Sequence, residues 1–348
     1  MKKRMLKVVC VLMVILSVMT TGCSANTDKD TKMTTKYCII GVTYDEGETA
    51  DDFHFTELVK GSDAECYELA EQTQELVISL EESLHEYLNE RYNLEWEFKS
   101  TNVRMLDFSK VSNGEYTYYA AMADPEYETV YVNSLFVNKE KDLVYRLAHE
   151  FIHCMRYYNI GTTMYVLKKE DNSYIGYYTG ESFTDLIAAD FLETLGEDAP
   201  LDYFLNGSGY CYTTVALQVL DYSIENSKKM YLENNMQEFY TALKTLSEEH
   251  IADGKEVNYA EKFIYNADVI IYSSNNIMYA TSTEEYNLSV KFFLNAIWGN
   301  YEIALSVSDS LDKAHEDEVF ELVKHIYELE GMNDAVEERL SYIKTCLD

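Results

Sequence analysis

The sequence predicts an α+β fold, with an α/β lobe over residues 37–200 and a mainly helical lobe over residues 201–348. Three observations predict it. Before about residue 140, Tyr- and Val-rich runs alternate with turn residues, the pattern of short strands. From Leu143 to Met155 an apolar stripe at helical spacing encloses the pentapeptide His149-Glu150-Phe151-Ile152-His153. Beyond Pro200 several segments repeat apolar residues at helical spacing, and only two prolines interrupt the whole chain.

The N-terminus reads as a targeting segment. Lys2, Lys3, Arg4 and Lys7 form a basic start, and Val8 to Met19 is apolar but too short for a spanning helix. Thr20-Thr21-Gly22-Cys23 follows. Small residues before a cysteine resemble a bacterial lipobox, which implies cleavage before Cys23 and a diacylglyceryl thioether on its sulfur. Residues 1–22 are then a signal peptide and residues 23–36, rich in Thr, Asp, Lys and Asn, a flexible tether. An extracytoplasmic protein, lipid-anchored to the bacterial cell membrane, is the expectation.

The elements follow in order. Ser62-Asp63-Ala64-Glu65 has the form of a capping box opening a helix that buries Leu69, Leu76, Leu80 and Leu84 and ends near Tyr92. Strands are predicted at Leu94 to Phe98 and Val103 to Phe108. Glu115 to Met122 and Glu128 to Phe136, around Ala123-Asp124-Pro125-Glu126, predict a hairpin. The next helix has Asn138 as N-cap and stops at Gly161. A second, smaller hairpin is predicted from Thr163 to Lys168 and from Ser173 to Tyr178. A helix follows with Leu186, Ala189, Phe191 and Leu192 on its buried side. Tyr212 to Ile224, Met236 to Leu246, Glu285 to Trp298 and Glu318 to Leu329 have helical spacing, and Gly331 sets off a last helix.

The pentapeptide is an HExxH motif. Residues four apart share a helix face, so the imidazoles of His149 and His153 can reach one point, as two ligands of a tetrahedral zinc must. Glu150 can lie over the open position and take a proton from water. The His-x-x-Gly-x-x-His extension of one zinc-peptidase group is missing, since Arg156 and Asn159 stand where its Gly and last His would be. An aspartate shortly after Gly161-Thr162 is missing too. Further on, Glu181 and Asp185 are again four apart, in Glu181-Ser182-Phe183-Thr184-Asp185.

Together these residues resemble the gluzincins, the thermolysin-like zinc metallopeptidases, over roughly residues 115 to 220. In that clan a second helix supplies a Glu ligand within Glu-x-x-(Ser/Thr)-Asp. The resemblance implies a zincin-like lobe with Zn2+ on His149, His153 and Glu181, Glu150 as general base, and Asp185 orienting a ligand histidine. It also implies a peptide or protein substrate lying along a strand that precedes the metal helix. A tyrosine that donates to the developing oxyanion opens an apolar helix in some members. Tyr210 is the first candidate here, Tyr212 the second, and Tyr178 a third. Cleavage within a chain is favoured, because Val132-Asn133-Ser134-Leu135 lacks the pattern that anchors a substrate amine in gluzincin aminopeptidases. Zinc binding without turnover, and zinc-assisted hydrolysis of a non-peptide bond, stay open as alternatives.

The formal net charge is −33, and falls to −37 without the signal, which excludes a nucleic-acid partner. Seven cysteines include Cys10 and Cys23; the others, Cys38, Cys66, Cys154, Cys211 and Cys346, are odd in number and widely spaced, not a disulfide framework. Nothing in the pattern specifies an oligomeric state. Cys23→Ser should abolish incorporation of a fatty-acid label; labelling that survives the substitution would remove Cys23 as the acceptor.

Overall fold

A computed structural model describes residues 54–308, apart from 137–139, 171–173, 198–199, 208–209 and 252–256. The signal, the tether with Cys23, the Asn138 cap and the patterns at Glu318 to Leu329 and after Gly331 lie outside the described residues. The fold is mixed α+β, mainly helical with a small sheet. None of the described helices is long and apolar enough to cross a membrane.

The first part of the chain builds the sheet. Helix α1 (Phe55–Lys60), strand β1 (Tyr67–Glu68) and helix α2 (Glu71–Tyr92) precede β2 (Asn102–Leu106), β3 (Ala121–Asp124) and β4 (Thr129–Asn133). The strand order is β1-β2-β4-β3, with β2 and β4 parallel and the other pairs antiparallel. Strand β3 is therefore an edge. The β3–β4 hairpin matches the sequence expectation in place but is shorter, turning through Pro125–Tyr127. Val130 and Val132 bury one face into the main core, while Tyr131, Phe55 and Phe108 fill a smaller cluster on the other.

Two sequence expectations fail here for local reasons. Ser62-Asp63-Ala64-Glu65 does not open a helix, because the Ser62 hydroxyl closes the turn after α1, bonding Val59 O at 2.8 Å and accepting from Ala64 N at 3.2 Å. Helix α2 starts only after β1. Leu94 to Phe98 is not a strand either. Its backbone is satisfied by side-chain amides instead of a ladder. Asn89 accepts from Trp96 N and donates to Trp96 O, both at 3.0 Å, and Asn159 does the same for Glu97 at 2.7 and 3.2 Å.

Helix α3 (Glu140–Ile160) packs between β3–β4 and the later helices. The expected stripe is buried, with Val144 at its margin, and so are Tyr145, Cys154 and Arg156. A helix covered on more than one side is central to the core. It ends at Gly161, whose φ of +78° is the left-handed conformation that terminates helices. Strands β5 (Leu167–Lys168) and β6 (Tyr174–Ile175) form the second hairpin with only two residues each. Tyr177 and Tyr178, expected in its second strand, already belong to helix α4 (Tyr177–Thr194).

Helices α5 (Pro200–Gly207), α6 (Cys211–Asp221), α7 (Ser227–Leu232), α8 (Met236–His250), α9 (Tyr259–Tyr279) and α10 (Thr283–Ser306) complete the described fold. Helices α5, α7 and α9 were not foreseen. One hydrophobic cluster runs from Leu69 to Val307 through α2, α3, α4 and the later helices. Helix α4 is buried at every position from Tyr178 to Ala189, so the apolar side expected from Leu186 and Ala189 is only part of its packed surface.

Asp268 of α9 lies wholly inside this core, 2 % exposed. Burial pushes its carboxyl from 3.8 up to about 7, against the two backbone N–H groups that donate to it. The folded chain then holds this proton more tightly than the unfolded chain does. The stability Asp268 contributes is full below about pH 4 and is lost as pH rises to about 7. Wild type should therefore lose denaturation midpoint faster than Asp268→Asn across that window, and parallel slopes would contradict this.

Candidate metal centre

Helices α3 and α4 cross so that their polar positions meet inside the core. His149 and His153, one turn apart on α3, have ring centroids 4.9 Å apart. Their Nε2 atoms are 3.2 Å apart, and Glu181 Oε2 from α4 lies 3.3 Å from the first and 3.4 Å from the second. All three side chains are buried, and together they are a group that can hold a metal ion. Asp185, one turn beyond Glu181, accepts from His149 Nδ1 at 2.8 Å. That bond commits one ring nitrogen to Asp185 and turns Nε2 toward His153 and Glu181. His153 Nδ1 is buried with no hydrogen-bond partner among the described residues, so the polar contacts of that ring are made through Nε2.

The electrostatics favour a cation at this point. Burial works to lower the His149 pKa, yet hydrogen bonds to Asp185 and Glu181 overcome it and raise it to about 10. Burial works to raise Glu181, yet the charge of His153 and hydrogen bonds from both histidines hold its carboxyl well below the usual range. Three carboxylates, of Glu150, Glu181 and Asp185, share the site with two imidazoles, an excess of negative charge in a poorly solvated place.

Glu150 is half-buried and points to the sheet side of the cluster. Its Oε2 accepts from Ala123 N at 2.8 Å. Asn133 N donates to Ala120 O, so residues 120, 122 and 124 bond toward β4 and residues 121 and 123 face outward. Glu150 is thus tethered to the free edge of β3. Burial pushes its carboxyl up, opposed by the charges of His149 and His153.

The three tyrosine candidates separate clearly. Tyr210 precedes α6, half-buried, with its ring stacked on Tyr178 at 5.7 Å between centroids. Burial raises its hydroxyl well above the ordinary value, and Glu181, Tyr177, Tyr119 and Asp185 add to this electrostatically. Tyr210 is therefore a protonated donor close to the carboxylates. Tyr178 is buried within the stack, between Tyr177 and Tyr210. Tyr212 meets Phe293 of α10 edge-on at 5.3 Å and serves the core. Phe204 of α5, 6.5 Å from the His149 ring, closes another side of the site.

Sequence reasoning missed several contributors. Tyr119 and Tyr177, in the field of Tyr210, carry no spacing signal among 31 tyrosines. In the sequence, Arg156 marks only a departure from the His-x-x-Gly-x-x-His extension. It is fully buried, bonds Thr163 O at 2.5 Å, Met164 O at 3.0 Å and Asn234 Oδ1 at 3.3 Å, and lies 4.1 Å from the centre of the Tyr231 ring. It thereby braces the connection between the two helices that carry the cluster. A charge three residues after the second histidine, next to the apolar stripe that ends at Met155, was the available clue. Cys154, beside His153, is buried away from the cluster, and burial pushes its thiol up, which leaves it an unreactive packing residue.

No protein-family model matches the chain, and neither the curated proteins nor the solved structures include a match. The reading of the site therefore stands on its own geometry.

Glu181→Ala should sharply weaken metal binding, measured with zinc as the probe, because it removes one of three protein donors. Asp185→Asn should cost less, about 10- to 100-fold, since it only orients His149. Undiminished zinc content in Glu181→Ala would take Glu181 out of the site.

Proposed function

We propose that this chain is a zinc-dependent metallopeptidase with a zincin-like, gluzincin-type centre, hydrolysing internal peptide bonds outside the bacterial membrane to which Cys23 anchors it. The spacing of three donor atoms carries the proposal. Zinc bonds imidazole nitrogen and carboxylate oxygen at about 2.0–2.2 Å, which puts tetrahedral ligands about 3.3 Å apart. The triangle of His149, His153 and Glu181 has edges of 3.2, 3.3 and 3.4 Å. One nitrogen of His149 is already committed to Asp185, the arrangement that metal-bound histidines need.

Held there, zinc supplies a Lewis acid that acidifies water near neutral pH and polarises a carbonyl. The remaining work belongs to the chain. Glu150 keeps one oxygen on Ala123 N and has the other to take a proton from the attacking water and pass it to the leaving amine. The Tyr210 hydroxyl donates to the oxygen on which charge develops. The outward groups of Ala121 and the outward carbonyl of Ala123, whose N–H is held by Glu150, offer an extended peptide a strand edge to pair with. Cleavage within a chain is supported by Asn133. Its side chain is engaged with Thr117 O, Tyr119 O and Leu135 N and so is not free to hold a substrate amine.

Glu150→Gln should keep zinc and fold while hydrolysis of a cleaved peptide falls by about 10²- to 10⁴-fold or more. Tyr210→Phe should lower kcat with little change in substrate binding. Turnover at the wild-type rate in Glu150→Gln would sink the mechanism. Tight zinc with no cleavage in a broad peptide library would instead favour a protein that binds zinc without turnover.

A further inference from the structure

The start of helix α4 is held from outside the site. Its N-cap is Gly176, with φ at +101°, so no side chain of its own receives the free N–H groups of the first turn. The acceptor comes from Asp268 on α9, 92 residues further along the chain: Asp268 Oδ2 accepts from Gly176 N at 2.7 Å and Oδ1 from Tyr178 N at 3.2 Å. Asp268 forms no ion pair among the described residues, and the two backbone N–H groups of the helix start are the groups that bond its carboxyl. The approach is tight. A Cβ on Gly176 would fall 2.7 Å from Ile264 Cγ2 of α9 and 2.9 Å from Met236 Cε of α8. Glu181 follows Tyr178 by three residues, one turn along the same helix.

We propose that Asp268 is a positioning residue for the metal centre, fixing the first turn of α4 so that Glu181 meets the two histidines. This rests on the reading of His149, His153 and Glu181 as metal ligands. Asp185, a turn deeper, has its own tie to His149, so loss of Asp268 acts on Glu181 first. The residue touches no reacting atom; it acts only through the helix.

The test is a double-mutant cycle on zinc affinity, by chelator competition, with Asp268→Ala, Glu181→Ala and the double variant, each checked for helix content. Asp268→Ala should bind zinc about tenfold more weakly than wild type and cause no further loss when Glu181 is already alanine. An equal loss in both backgrounds would mean general destabilisation and overturns the proposal. If Asp268→Ala does not fold, Asp268→Asn keeps one acceptor and should show the same coupling at smaller size. Failure of wild type to bind zinc overturns the metal reading itself, and this role with it.

Discussion

The bond between His149 Nδ1 and Asp185 Oδ1, 2.8 Å long inside the core, sets the crossing of two helices on which the rest of the structure depends. It couples the rotation of α3 to that of α4. With that register set, His149, His153 and Glu181 turn one donor atom each toward a common point. Burying so many ionisable groups is costly unless they satisfy each other or hold a cation. The core accepts them because each has a defined partner: Asp185 for His149, the histidines for Glu181, and the free edge of β3 for Glu150.

Other buried polar residues serve this crossing. Arg156 bonds the carbonyls of the segment that leaves α3, and Asp268 holds the backbone where α4 begins. One brace lies close in sequence and the other comes from a distant helix. The geometry of the centre therefore depends on helices well beyond the motif. The hydrophobic cluster, continuous from α2 to α10, carries the same dependence.

What was legible in the sequence is what repeats locally. The i, i+4 pairs His149/His153 and Glu181/Asp185 announce their two helices, and the apolar periods around them locate the helices within a few residues; that the pairs converge was an expectation from the resemblance, not from the spacing. The hairpin before α3 was legible from Tyr- and Val-rich runs about a turn. Contacts between distant segments left no such trace. Asn89 and Asn159 replace a strand ladder at Trp96 and Glu97, and nothing in the run Leu94 to Phe98 reveals it. Asp268 carries no signal in the sequence, and its role emerges only when α9 is laid against the start of α4. Ser62 misled for the opposite reason: its hydroxyl is a good cap, spent on closing a turn.

X-ray absorption at the zinc edge of the zinc-loaded protein tests the central claim most directly. The account predicts one zinc per chain, in a light-atom shell of nitrogen and oxygen at about 2.0–2.2 Å that includes the signature of two imidazoles. A protein that takes up no zinc, or a shell with sulfur at about 2.3 Å or without imidazole, would contradict it.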